Sequence, residues 1–437
     1  MSLDAETQPP LAKDMNPTAR LLACALLLVA SAGVRLQAQT VNWPGSAPCD
    51  SYFSTCLASV PAGGTLRIVS SQTIADRIFV QSAVSIEAAP GVSAIFTSAD
   101  SHSVSVPGTS PWTVSLRNLH FAGGTLVVDI SGSQPGDLRL EGLSFRGNAA
   151  NAQAQLYLRI NAATSARSRL VVRGCEFEIG SDNGAPFSIA QFGGGTAGME
   201  MQVEDNRFRP EPVAIAQSLH RAWFANVGGS GNWDIVFRRN RILPANVLPA
   251  RRYASGIEIS TTGTVGINLL VHDNLFALDQ VAGSGGYAIS TGGSTGQVQA
   301  RVLNNTINNA YYATNFQSNV FGRFDNNLVA NGFRLHDGTA LAANFTRRGN
   351  LEFGYAMSNW ATAPGTLTVD PQLGVNGQPL PTSPAINAGS DAARAETGPG
   401  TFGAPAPIDA QGLRRLEGAH IDIGAFEGER IHYDGAE

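Results

Sequence analysis

Arginine and aromatic side chains crowd one stretch of the sequence. His220, Arg221, Trp223, Arg251, Arg252 and Tyr253 fall close together, and Glu258 and Tyr287 follow downstream. A guanidinium can hold a carboxylate on two parallel hydrogen bonds, and an aromatic ring can stack on the face of a sugar. Together these residue types suit recognition of an acidic saccharide. A plainer reading stands beside this one: Trp223 or Tyr287 as core packing, and Arg251 with Arg252 as a solvated loop pair. His336 and Asp337, in Arg-Leu-His-Asp-Gly, read as a satisfied turn.

Other chemistries are constrained by what the chain lacks. Lys13 is the single lysine, and it lies in the leader, so a lysine base or Schiff base is excluded beyond it. Glycoside hydrolysis needs two carboxylates at a defined separation, and nothing in the sequence selects such a pair. No catalytic residue, metal ligand or cofactor is therefore assigned. A net charge of -5 argues against nucleic-acid binding, which needs a basic surface to meet phosphates. With 43% hydrophobic and 14% charged residues, the chain can fill a core.

The elements that must position these residues are written as a repeat. Its pattern is apolar-x-x-Asn-x-apolar, in Val203–Phe208, Phe237–Ile242, Val271–Phe276, Val302–Ile307 and Arg323–Leu328. Looser copies are Leu116–Phe121, Leu140–Phe145, Val172–Phe177 and Thr346–Leu351. The fourth positions, Leu119, Leu143, Cys175, Asn206, Asn240, Asn274, Asn305, Asn326 and Gly349, recur every 21 to 34 residues. Alternating stretches such as MEMQV (199–203) and WDIVF (233–237) precede the copies and read as strands. The spacing suits a solenoid coil of 21–24 residues, with inserts of about ten at 178–200, 209–232, 243–266 and 277–297. Inserts on one side of a solenoid often build its binding face, and these carry most of the Arg/aromatic cluster.

The Asn-marked turn, the coil length and the Gly-rich context resemble the pectate-lyase-like (pectin lyase-like) right-handed parallel β-helix superfamily. The resemblance implies an all-β, single-stranded parallel β-helix. It also implies that Asn206, Asn240, Asn274, Asn305 and Asn326 form a hydrogen-bonded ladder. Lyases on this fold commonly use calcium with an arginine or lysine base, so an enzyme here would be an arginine-dependent lyase or epimerase acting on a uronate glycan. The Asn-Thr-Asp, Asp-Asp and Gly-His-Gly elements of polygalacturonase-like hydrolases are absent. The second motif positions read Arg117, Glu141, Arg173, Glu204, Arg238 and His272. Stacked about 4.8 Å apart, those alternating charges would form a column of ion pairs.

Both ends depart from the repeat. Residues 1–38 read as a signal peptide, with an apolar run at 21–33 and a start at either Met1 or Met15. Cys49 and Cys56, with six residues between them, suit a local disulfide in an oxidising compartment, a zinc site being the rival. Cys175 reads as a buried, inert thiol. Residues 39–75 would form an N-terminal cap with a short helix and first strand, 76–355 the β-helix, and 356–437 an irregular C-terminal cap. The last region resembles the end of bacterial choice-of-anchor Q proteins through Asp409, Gly412, Arg414 and the run Asp422–Glu427, and Asp409, Arg414 and Asp422 are expected to close that end as a structural network.

The expectation is thus an exported, monomeric, carbohydrate-binding solenoid, extracellular, periplasmic or at the cell surface, with no transmembrane segment after the leader. An arginine-dependent lyase is the alternative, and a structural or adhesive solenoid the third reading.

Overall fold

The computed structural model describes residues 39–105, 110–131, 133–146, 154–160, 167–178, 185–191, 198–210, 219–244, 252–279, 286–293, 296–337, 345–356, 362–375, 377–391, 408–413 and 420–428. The chain visits three parallel sheets in turn. Sheet A has twelve strands, from Thr40–Trp43 to Phe345–Arg348. Sheet B has eleven, from Gln72–Ile74 to Leu351–Phe353, and sheet C ten, from Phe79–Val80 to Arg334–His336. Strands pair in register with their counterparts one coil away, as Met199–Glu204 does with Asn232–Arg238, apart from one shift between Leu219–Val227 and Arg252–Thr261. The result is a right-handed parallel β-helix.

In-register stacking means that one motif position fills one layer of the core in every coil. The sixth position supplies Phe121, Phe145, Phe177 and Phe208, whose rings stack with centroids 5.1, 5.0 and 5.0 Å apart. Strands alternate accordingly: Met199, Met201 and Val203 are buried in the core, while Glu200 and Gln202 face outward.

The third motif position makes the turn from sheet A to sheet B in a single left-handed residue. Asn118, Gly142, Gly174, Asp205, Arg239, Asp273, Asn304, Asn326 and Gly349 hold it, with φ between 52° and 63°. Gly, Asn and Asp tolerate this conformation best, which accounts for eight of the nine. The fourth position then carries the ladder. The backbone N–H of Asn206 donates to Asn240 Oδ1 (3.0 Å), and that of Asn240 to Asn274 Oδ1 (2.8 Å). Asn274 donates likewise to Asn305, Asn305 to Asn327, and Asn327 to Asn350.

Asn326 is not a rung. Phe324 pairs with Val302, so the repeat there is Phe324–Val329 and its fourth residue is Asn327. The window Arg323–Leu328 starts one residue early, and Thr346–Leu351 carries the same slip. Asn326 holds the left-handed position and binds the C-terminal region instead. Its Nδ2 donates to the Ser390 carbonyl, and its Oδ1 accepts the Ser390 N–H, both at 2.9 Å.

The C-terminal region continues sheet B for one bridge, Leu351 to Leu367, and then lies along the outer face of that sheet. Ala385 and Ile423 pack on Leu328, Ala330 and Leu351, and Ala410, Ala425 and Phe426 on Leu275 and Ala277. Arg241 reaches back to the Ala410 carbonyl at 2.7 Å. Asp409 and Asp422, both buried, pin turns here: Asp409 accepts the N–H groups of Gln411, Leu413 and Glu427, and Asp422 those of Asn387 and Gly428. Arg414 lies outside the described residues.

At the other end, the helix Phe53–Ser59 closes the core by setting Phe53 edge-on to Trp43 and Phe96, each at 5.2 Å. Cys49 and Cys56 form a disulfide, so zinc is excluded as their partner. Cys175 is buried with its thiol pushed up to about 12 by burial, which leaves it unreactive. No helix among the described residues is long and apolar enough to cross a membrane. Residues 1–38, read from the sequence as a signal peptide, lie outside them.

Two core histidines predict how the fold meets acid. His102 Nδ1 accepts the Ile78 N–H at 3.0 Å, which fixes a neutral tautomer, and burial lowers its pKa to about 4. Burial lowers His336 to about 4 as well. A depressed histidine contributes fully above its unfolded pKa near 6.5 and loses that contribution as pH falls toward 4. Each should cost on the order of 3 kcal/mol between about pH 7 and pH 4. Denaturant unfolding across that range should show the fall, and His102→Gln should flatten part of it. A wild type equally stable at both ends would refute the assignment.

Candidate functional site

Sheet C is the place to build a site, because its outer face carries side chains of mixed type in long columns. One column runs Val127, Tyr157, Ser188, Phe224, Glu258, Ser290 and Asn315. Asp337, one residue past His336 and bonded through its N–H to Thr314, continues it. A neighbouring column runs Asp129, Arg159, Ala190, Asn226 and Ser260. Successive members sit about 4.8 Å apart along the helix axis.

A β-bulge sets the position of Arg221. The register of Leu219–Val227 against Arg252–Thr261 shifts between His220 and Arg221, and bulges re-aim side chains. His220 is buried, whereas Arg221 lies outside, with its Nε 2.7 Å from Glu258 Oε2 and its guanidinium 5.1 Å from the Phe224 ring centroid. Further along the axis, Tyr287 stacks on Tyr312 at 5.2 Å, and Tyr311 on Phe333 at 4.7 Å. Arg334 lies over Phe333 at 5.2 Å. All four rings are half-buried, so each is fixed by packing and still presents surface. The Tyr287 hydroxyl donates to Asp337 Oδ2 at 3.0 Å. Burial and that carboxylate push its pKa up to about 12, so it stays a neutral donor.

The structure brings together Arg221, Glu258 and Tyr287 from the sequence-derived cluster. It removes three others. Trp223 is in the core between Phe187 and Phe237, at 5.8 and 5.6 Å. Tyr253 is fully buried, edge-on to Phe208, and His220 is buried too. The physical reason is that these insert residues form strands of sheet C, whose inward alternation places Trp223 and Tyr253 among core aromatics. Arg251 lies outside the described residues, as does the side chain of Arg252. Sequence reasoning missed Phe224, Tyr311, Tyr312, Phe333 and Arg334, although the pairs Tyr311-Tyr312 and Phe333-Arg334 signalled an aromatic and cationic patch. It also gave Asp337 to a turn, whereas the carboxylate faces Tyr287. His336, by contrast, is a core residue beside Thr314, at 3.1 Å.

Among the described residues, no three His, Cys, Asp or Glu side chains converge as a metal-ligand set. Comparison with known proteins adds little to the geometry. No family model matches the chain, and no curated protein does. Among solved structures, the crystal structure of pectate lyase Pel9A aligns with 90% of this chain and 96% of its own, at 14% identity and a TM-score of 0.40. What the coil order and sheets themselves define is a parallel β-helix protein with an aromatic, polar face on sheet C.

Proposed function

We propose that this is an exported glycan-binding protein that holds a saccharide chain along the outer face of sheet C. The observation that carries the proposal is the set of half-buried rings Tyr287, Tyr312, Tyr311 and Phe333, continued along the axis by Glu258 and Arg221 on Phe224. Rings fixed by packing lose little entropy on binding, and hydroxyl, amide and carboxylate groups between them suit sugar hydroxyls. The Cys49–Cys56 disulfide supports the export reading, since such bonds persist in oxidising compartments.

The lyase alternative needs an arginine that gives up its proton. Arg159 and Arg221 each already hold a carboxylate of their own face, so neither fork is open to a substrate. Neither suits a base.

The test is titration of the full chain with a broad oligosaccharide panel. Tyr312→Ala should weaken any binding about fivefold, since one stacked aromatic contributes on the order of 1 kcal/mol. Its melting should stay close to wild type, because Tyr312 is partly exposed. Equal affinity in the folded variant would remove this face from the reading.

A further inference from the structure

We infer that the saccharide recognised on sheet C is uncharged, an inference that rests on the glycan-binding reading above. The reason is charge matching on that face. Arg159 pairs with Asp129: its Nη2 donates to Oδ2 at 2.7 Å, and its Nε lies 2.7 Å from Oδ1. Arg221 meets Glu258 at 2.7 Å, Asp337 accepts the Tyr287 hydroxyl, and Arg334 lies on the Phe333 ring. These three guanidinium groups stand against three carboxylates, so their formal sum is zero.

A polyuronate places a carboxylate on every sugar unit. It therefore needs guanidinium forks that are open, or a positive potential along its track. Here the forks of Arg159 and Arg221 already hold carboxylates of their own face. An incoming uronate laid along the axial column would also pass Glu258 and Asp337, and like charges at one strand spacing repel. A neutral chain meets none of these costs. Its hydroxyls can donate to the remaining lone pairs of Glu258 and Asp337 and bond to Ser290 and Asn315, while its C–H faces stack on Tyr287, Tyr312 and Phe224.

The molecule does have an arginine-on-arginine stack, and it lies elsewhere. Arg301 and Arg323 are direct partners in register on sheet A, not on sheet C. Among the described side chains, the aromatic face is thus the charge-balanced one.

The experiment titrates the full chain with two probe sets, neutral cello-, xylo- and manno-oligosaccharides and an oligogalacturonate. A neutral oligosaccharide should bind saturably, with affinity changing less than about twofold between low and high salt, because no net charge is screened. Oligogalacturonate should bind at least about tenfold more weakly, and Glu258→Gln should narrow that gap by removing a repelling charge. Tighter oligogalacturonate binding that falls steeply with salt and is lost in Arg221→Gln would overturn the uncharged class while leaving glycan binding intact. No binding from either set would overturn the glycan reading itself, and this inference with it.

Discussion

Asn240→Ala should destabilise the fold by about 3–5 kcal/mol, several times the effect of any single outward-facing substitution on the same coil. The side chain is fully buried and closes four hydrogen bonds. Its Oδ1 accepts the Asn206 N–H at 3.0 Å and the Asn206 side-chain amide at 2.9 Å, and its Nδ2 donates to the Val203 carbonyl at 2.8 Å and to Asn274 Oδ1 at 3.1 Å. Alanine leaves a buried backbone donor and a buried backbone acceptor unpaired, each costing about 1–3 kcal/mol. Asn240→Asp separates the two: it keeps an acceptor for Asn206 but loses the donor to Val203 and faces Asn274 Oδ1 with a second acceptor. Denaturant melts should place both variants well below wild type. A midpoint for Asn240→Ala within error of wild type would show that the ladder is decoration on a turn held by other means. Asn327→Ala should behave similarly, because Asn327 is the rung in its coil.

The slip at Asn326 shows what the sequence could and could not deliver. The repeat was legible because stacked coils impose the same environment on the same position, so asparagines, left-handed residues and phenylalanines recur together. In a run such as Asp325-Asn326-Asn327, two adjacent asparagines both satisfy the pattern, and only the partner of Phe324 fixes the register. The outer column of charges was legible for the same reason: Arg117 meets Glu141 at 2.9 Å, and Arg173 bridges Glu141 and Glu204. The site was less legible. An aromatic on a strand carries no label for the face it occupies, so Trp223 and Phe224 look alike until alternation is anchored by neighbours. The bulge beside Arg221 moves that alternation by one residue, and nothing in its composition announces it. The C-terminal region showed its anchoring aspartates but not that it lies along sheet B, since that depends on apolar residues such as Leu275 and Leu328 facing away from the main core.

Glu204→Ala should cost a further large amount, about 3–5 kcal/mol, although glutamate at this column position would ordinarily be a surface residue. Glu204 has no exposed surface, and three arginines converge on it: Arg173, Arg238 and Arg239. Burial alone would raise its pKa; Arg238 and Arg173 outweigh that and hold the carboxyl below its usual range. Removing it leaves Arg239, itself buried, with Asp205 at 2.7 Å, and Arg239 already occupies a left-handed turn that an arginine adopts at a cost. The comparison that tests this is Glu87→Ala, where the same column geometry pairs an exposed Arg67 at 2.7 Å and the loss should stay under about 1 kcal/mol. Glu204→Gln should fall between the two, because the amide keeps one acceptor for the arginines without their charge complement. As pH falls through the folded pKa of Glu204, the wild type should lose the stabilisation that the depressed carboxyl supplies, which is present above its unfolded value. Equal melting losses for Glu204→Ala and Glu87→Ala would mean that the buried end of the column is no more tightly coupled than its exposed beginning.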